Sequence, residues 1–199
     1  MPEGWLGVRE AHRSLVRERI VQAALQLVAE RGMSATTMSE LAERSQISRP
    51  TLYSHFSDVE QVLAAWLADE VGRVQVVLAE RLAEHEDPLV RLEAYVLVQC
   101  EYFAGSEYAF SIGRLDPRQH GSALAGIIAG HVEKFEADVR DMLSEATQRD
   151  MLRGNVDVAL YAELVVGLVD ATRARLAQGT LTPQRATAAI TRLLRHGLG

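Results

Sequence analysis

Two helix-start signals stand so close together in this chain that only one short helix and one tight turn fit between them. Thr37-Met38-Ser39-Glu40 reads as a capping box, in which the Thr37 hydroxyl accepts the N3 amide and Glu40 reaches back to the cap amide. Ser48 follows as a second N-cap, and Pro50 falls in the first turn, where a missing N–H costs nothing. The first of these helices therefore runs to about Arg44 with Leu41 and Ala42 inward, Ser45-Gln46-Ile47 turns, and the second runs to about His55. Upstream, a longer helix from about Arg9 to Arg31 carries Ile20, Ala24, Leu27 and Val28 on one face and stops at Gly32, placed as a C′ glycine. Three helices in this order match the helix-turn-helix scheme, whose second element presents its N-terminal residues to base edges in the major groove.

The side chains on that element suit the task. Ser48, Arg49 and Thr51 lie on its first turn, where unpaired N–H groups and the positive dipole end favour acceptors. Arg49 can take guanine bidentately or grip phosphate, and Thr51 can bond a base or touch a thymine methyl. Tyr53 and His55 sit further along, within reach of backbone phosphates. Arg44, ending the preceding helix, joins the set. Arg9, Arg13 and Arg17 fit either a minor-groove arm or a solvated helix face.

The run from Arg17 to Val62 resembles the DNA-binding region of TetR-family transcriptional regulators. "RERIVQAALQLVAERG" is similar to that family's first helix and closing glycine, and "TTMSELAERS" to its second helix. "ISRPTLYSHFSDVEQVL" resembles its recognition helix, its tyrosine-x-histidine-phenylalanine signature and the start of its long linker helix. The resemblance implies that Thr37 caps the second helix and contacts phosphate, and that Arg49, Pro50 and Thr51 face the groove. It further implies that Tyr53 and His55 touch the backbone while Leu52 and Phe56 pack inward. Two residues depart from the pattern. Gln46 stands where the turn usually holds glycine, so it must accept a left-handed conformation at some cost. Val59 stands where lysine is common, which implies lower affinity and a salt slope flatter by about one.

Beyond Asp58, apolar residues keep recurring at helical spacing. Helices are expected from Asp58 to about Glu86 before the break at Asp87-Pro88, from about Leu89 to Ala104, from Ser122 to about Gln148, from Val156 to Gln178, and from Pro183 to His196. The stretch from Gly105 to Gly121, rich in glycine and broken by Asp116-Pro117, reads as a short helix and a loop. The fold expected is all-α with about nine helices: a DNA-binding domain over residues 9–57 and a helical bundle over 58–199. By resemblance that bundle binds an effector and dimerises. Tyr95, Gln99 and Tyr102 recur on one helix with Phe103 beside them, and Trp66, Phe110, His131 and Phe135 would complete an apolar cavity with a few polar tips. Each of these aromatics would serve a plain core equally well, and His131 reads as a core histidine or as a ligand contact. Leu160, Leu164, Val165, Leu168 and Val169, with Ala188, Ile190, Leu193 and Leu194, form a face suited to a four-helix dimer seam around Gly167, or to burial within one chain.

Charge divides along the same line. The net charge of −6 argues against nucleic acid, but residues 1–57 hold seven arginines against six acidic residues and balance at +1. Cys100 is the single cysteine, so neither an intrachain disulfide nor a cysteine metal site is available. Met1 to Arg9 lacks an apolar run, and Leu164 to Val169 is too short to span a bilayer, so a cytoplasmic protein without membrane contact is expected. No nucleophile elbow, phosphate loop or His-Glu metal pair occurs. Glu84-His85-Glu86-Asp87 reads as a solvated helix end, and Asp170 as a buried acid or as the partner of Arg173 or Arg175. The sequence thus points to a homodimeric, ligand-responsive regulator, with no catalytic residue, metal or cofactor, that represses from a palindromic operator and is released by a small lipophilic or aromatic effector. The alternative is a DNA-binding regulator without a small-molecule effector: protein-controlled, constitutive or activating.

Overall fold

Helix-forming periodicity governs the whole of the computed structural model, which describes residues 3–105, 122–152, 154 and 156–198. Among the described residues there are eight α-helices and no strand. The expected ninth helix falls within residues 106–121, outside the described residues.

Helix α1 (Glu3–Arg31) buries Val16, Ile20, Val21, Ala24, Leu27 and Val28 at three- and four-residue spacing. It begins earlier than the expected Arg9, so Arg9 and Arg13 belong to a helix rather than to an extended arm. Its end is set by Gly32, whose φ of 82° lies in the left-handed region and whose amide donates to the Val28 carbonyl at 2.8 Å. A 3-10 turn over Met33–Ala35, absent from the sequence expectation, leads into α2 (Met38–Ser45) and α3 (Arg49–His55).

Helix α4 (Val59–Ala83) starts on Asp58, whose carboxylate accepts the Gln61 amide at 2.8 Å. It stops short of the expected Glu86. Pro88 disfavours helical backbone at Asp87, and Asp87 instead caps the next helix by accepting the Leu89 amide at 2.8 Å. Helices α5 (Pro88–Gly105), α6 (Ser122–Gln148), α7 (Val158–Ala177) and α8 (Pro183–Leu198) follow, α7 opening on the Asp157 cap.

The described residues gather into two compact units, one of 3–69 with 122–127 and one of the remainder. In the first unit Ile20, Leu27, Leu41, Leu52 and Leu63 are buried together with Trp66 and Leu124. Each buried leucine contributes about 1.5–3 kcal/mol relative to exposure. In the second, α5 supplies Leu92, Tyr95 and Val96, α6 supplies Val139 and Leu143, α7 supplies Val165 and Val169, and α8 supplies Ile190. Helices α5 and α6 run antiparallel: Arg91 pairs with Glu145, and one turn on, Tyr95 meets Asp138.

Candidate nucleic-acid interface and effector chamber

The junction of α2 and α3 is fixed at both ends by its own side chains. The Thr37 hydroxyl accepts the Glu40 amide at 3.3 Å, and the Glu40 carboxylate accepts the Thr37 amide at 3.1 Å. Those bonds from Thr37 hold the Glu40 carboxyl below its usual range. At the other end the Ile47 amide reaches back to Ala42 at 3.2 Å and the Gln46 amide to Glu43 at 3.1 Å, a Schellman turn with Gln46 at its left-handed position. Gln46 has φ 55° and ψ 34°, the conformation expected of it in the place of a glycine. Arg19 closes the end of α2 by donating to the Ser45 carbonyl at 2.8 Å.

Helix α3 then exposes most of its surface. Ser48 caps it, accepting the Thr51 amide at 3.3 Å and sharing a hydrogen bond with the Thr51 hydroxyl at 2.8 Å. Arg49, Pro50, Thr51 and Tyr53 are all exposed, Tyr53 by 56%, whereas Leu52 is wholly buried. One edge of the helix is thus anchored and the opposite edge is free to meet a ligand. His55 is half-buried, and burial together with Arg13 and Arg17 pushes its imidazole below the ordinary value. Phe56 is buried under the Arg17 guanidinium, 5.5 Å from its ring centre.

Two members of the expected DNA-facing set have local work to do already. Thr37 is exposed but bonded within the capping box. Arg44 is held by both oxygens of Glu30, at 2.8 and 2.9 Å. Val59 is buried in the core, so the position where lysine is common here packs the start of α4.

In the second unit Tyr95 and Gln99 of α5 are buried, Tyr102 and Phe103 are half-buried, and Tyr95 faces Phe135 of α6. Tyr95 stacks on Phe135 with ring centres 4.9 Å apart. Its hydroxyl donates to Asp138 at 3.1 Å, and Lys134 reaches both oxygens of the same carboxylate at 2.8 and 2.9 Å. Burial and the Asp138 charge push the Tyr95 phenol far up. Tyr102 and Phe103 lie 5.5 Å apart, and the Arg173 guanidinium of α7 sits 5.1 Å from the Phe103 ring centre. Burial and then the nearby Arg173 charge lower the His131 imidazole. Trp66 is buried in the core of the first unit, and Phe110 lies outside the described residues.

Sequence reasoning considered Arg173, like Arg175, only as a partner for Asp170. The pair does form, but Asp170 is 56% exposed, so it is no buried acid. Only the packing of α7 against α5 reveals the arginine beside Phe103. The face read as a dimer seam also divides. Val165, Val169, Ile190 and Leu194 are buried within the second unit, while Leu160, Leu164 and Leu193 remain exposed by 48, 48 and 61%. Among the described residues no group of three or more His, Cys, Asp or Glu side chains is placed to hold a metal.

Comparison with known proteins matches residues 20–66 to the family described as bacterial regulatory proteins, tetR family. The chain is 33% identical over 100 residues to the HTH-type transcriptional repressor KstR2 of Rhodococcus jostii, covering 48% of this chain and about half, 47%, of that repressor's length. Its fold is similar to that of the transcriptional regulator FadR from Bacillus subtilis in complex with stearoyl-CoA, with a TM-score of 0.77, 20% identity, and 92% of this chain and 99% of that one covered. It is also similar to AibR in complex with isovaleryl coenzyme A and operator DNA, with a TM-score of 0.72, 21% identity, and coverage of 89 and 97%.

Proposed function

We propose that this chain, whose residues 20–66 match the tetR family of bacterial regulatory proteins, is a regulator of that family: a cytoplasmic, homodimeric repressor which binds a palindromic operator and is released by a small lipophilic effector. No described helix is long and apolar enough to cross a membrane. The observation that carries the reading is the anchored recognition helix: Leu52 buried on one side of α3, Arg49, Pro50, Thr51 and Tyr53 open on the other. Residues 9–57 form the DNA-binding domain, in which Ser48, Arg49 and Thr51 meet the groove and Tyr53 and His55 the phosphates. Thr37 supports the approach as cap, and Arg44 contacts phosphate from its place beside Glu30.

Residues 58–199 hold the effector and the dimer seam. The aromatic side chains around Tyr95, Tyr102, Phe103 and Phe135 supply apolar walls, and FadR and AibR, solved with acyl-coenzyme A esters, make such an ester the first effector to try. Two copies joined through the exposed Leu160, Leu164 and Leu193 supply the two recognition helices that a palindrome with half-sites about 34 Å apart calls for. Release follows from linkage: an effector that weakens DNA binding by some factor is itself weakened by DNA to the same degree. The chemistry of regulation here is binding, with no catalytic step.

The test is binding of the purified chain to its own upstream DNA across a salt series. Specific binding is expected, and Arg49→Ala is expected to weaken it and to reduce the salt slope by about one. Tyr53→Phe should weaken it less. Failure of the native chain to select any fragment from genomic DNA at low salt would refute the reading.

A further inference from the structure

Gln99 is completely buried on α5, and neither atom of its amide has a hydrogen-bond partner among the described residues. The Tyr95 hydroxyl lies nearby without completing a hydrogen bond to it. His131 on α6 has the same property: both ring nitrogens are shielded and unpartnered. Such groups are rare in folded proteins, because each forfeits its bonds to water without replacement. Both belong to the second unit. The antiparallel register of α5 and α6 pairs Arg91 with Glu145 and Tyr95 with Asp138, which brings the next turns, carrying Gln99, Tyr102 and Phe103, toward His131. Arg173 joins them, lying over Phe103 and acting on both Tyr102 and His131.

We infer that Gln99 and His131 are the polar contacts of the effector chamber, and that the effector carries an acceptor oxygen, a carbonyl or a carboxylate, on the part buried against them. The inference rests on the effector reading given above and narrows its ligand class. Two observations favour an acceptor over a donor. The amide offers two N–H groups and a neutral imidazole one, and unpaired N–H groups are tolerated less well than unpaired carbonyl oxygens. Burial, and after it the Arg173 charge, disfavours a proton on His131, and the guanidinium over Phe103 suits an atom bearing negative charge nearby. The aromatic rings of Tyr102, Phe103 and Phe135 account for the rest of the ligand being apolar. An ordered water meeting the same groups is the competing occupant.

The test is isothermal titration calorimetry of the full chain with coenzyme A derivatives of equal chain length: S-hexyl-coenzyme A, which lacks an acyl oxygen, hexanoyl-coenzyme A and adipoyl-coenzyme A. At least one oxygen-bearing probe is expected to bind about tenfold or more tightly than the S-hexyl thioether. A gain at hexanoyl identifies the thioester carbonyl as the contact, and a gain only at adipoyl identifies the terminal carboxylate. In Gln99→Leu and His131→Leu the preference is expected to collapse to within about twofold, while the free variants melt no lower than the native chain. If a leucine variant fails to fold, Gln99→Met, close to the original in volume, takes its place. Equal binding of all three probes to the native chain, or an equal loss of all three in the variants, overturns the inference and leaves the effector reading standing. No binding of any probe, with operator binding intact, removes acyl-coenzyme A esters as effectors and this inference with them.

Discussion

Gln46 shows what a single residue contributes to the interface. The Schellman turn between α2 and α3 demands a left-handed residue, and a side chain with a Cβ holds that conformation at a cost of about 1 kcal/mol. Gln46 is exposed, so its side chain gains little burial to offset the strain. Gln46→Gly is therefore expected to raise unfolding free energy by about 0.5–1 kcal/mol in urea denaturation. No change there would mean that the turn relaxes differently from the geometry described. Residues whose role is local were legible in this way: Thr37, Ser48 and Gln46 act on amides within a few positions of themselves, so spacing alone exposes them. Arg44 and Arg173 were not. Their partners, Glu30 and the Phe103 ring, lie far off in sequence and come near only once helices have packed.

Helix α3 is held by little of its own apolar surface. Leu52 is its one buried residue, with Phe56 beneath Arg17 at its end. Truncation at Leu52 removes the one buried side chain of the recognition helix. Leu52→Ala is expected to cost about 2–4 kcal/mol, read as a lower urea midpoint, and to weaken operator binding along with it. An unchanged midpoint would show that the caps alone hold the helix. Elements with strong signals at both ends were read closely from sequence; α6 carries the expected Ser122 and Gln148 at its ends. Elements with weak ends were not. Helix α1 continues through Gly4 and Gly7, residues that lower helix propensity, to a start at Glu3. Helix α4 ends before Asp87 because that residue serves the following helix as its cap, a role that competes with prolonging the one before.

For the whole molecule, two observations reach beyond any single helix. His55 in one unit and His131 in the other are both held below the ordinary histidine value of 6.5, chiefly by burial and then by neighbouring arginines. Both are neutral in the fold but take up protons in the unfolded chain as pH falls below 6.5. Their contribution is thus complete above that value and is lost as pH falls toward the folded-state values. Melting temperature is expected to drop between about pH 7.5 and pH 5.5, and to drop less in His131→Leu. The lowered carboxyls of Glu30, Glu40 and Asp58 act only in a more acid range, so they do not blur this window. The second observation is the exposed row Leu160 and Leu164 on α7 with Leu193 on α8. Their neighbours Val165, Val169, Ile190 and Leu194 fill the second unit's own core, so the row can be charged without opening that core. Gly167 on the same helix has open space around it within this chain, leaving room for close approach by a second copy. Leu164→Arg is expected to turn a dimer into a monomer in sedimentation velocity while melting of the isolated chain stays within a few degrees. Because two tethered heads gain about a hundredfold or more over one, operator affinity should fall by at least that factor. Binding to a single half-site should stay as it was. A variant that remains dimeric would place the seam elsewhere on the molecule, and a monomer that binds the full operator undiminished would remove dimerisation from the mechanism.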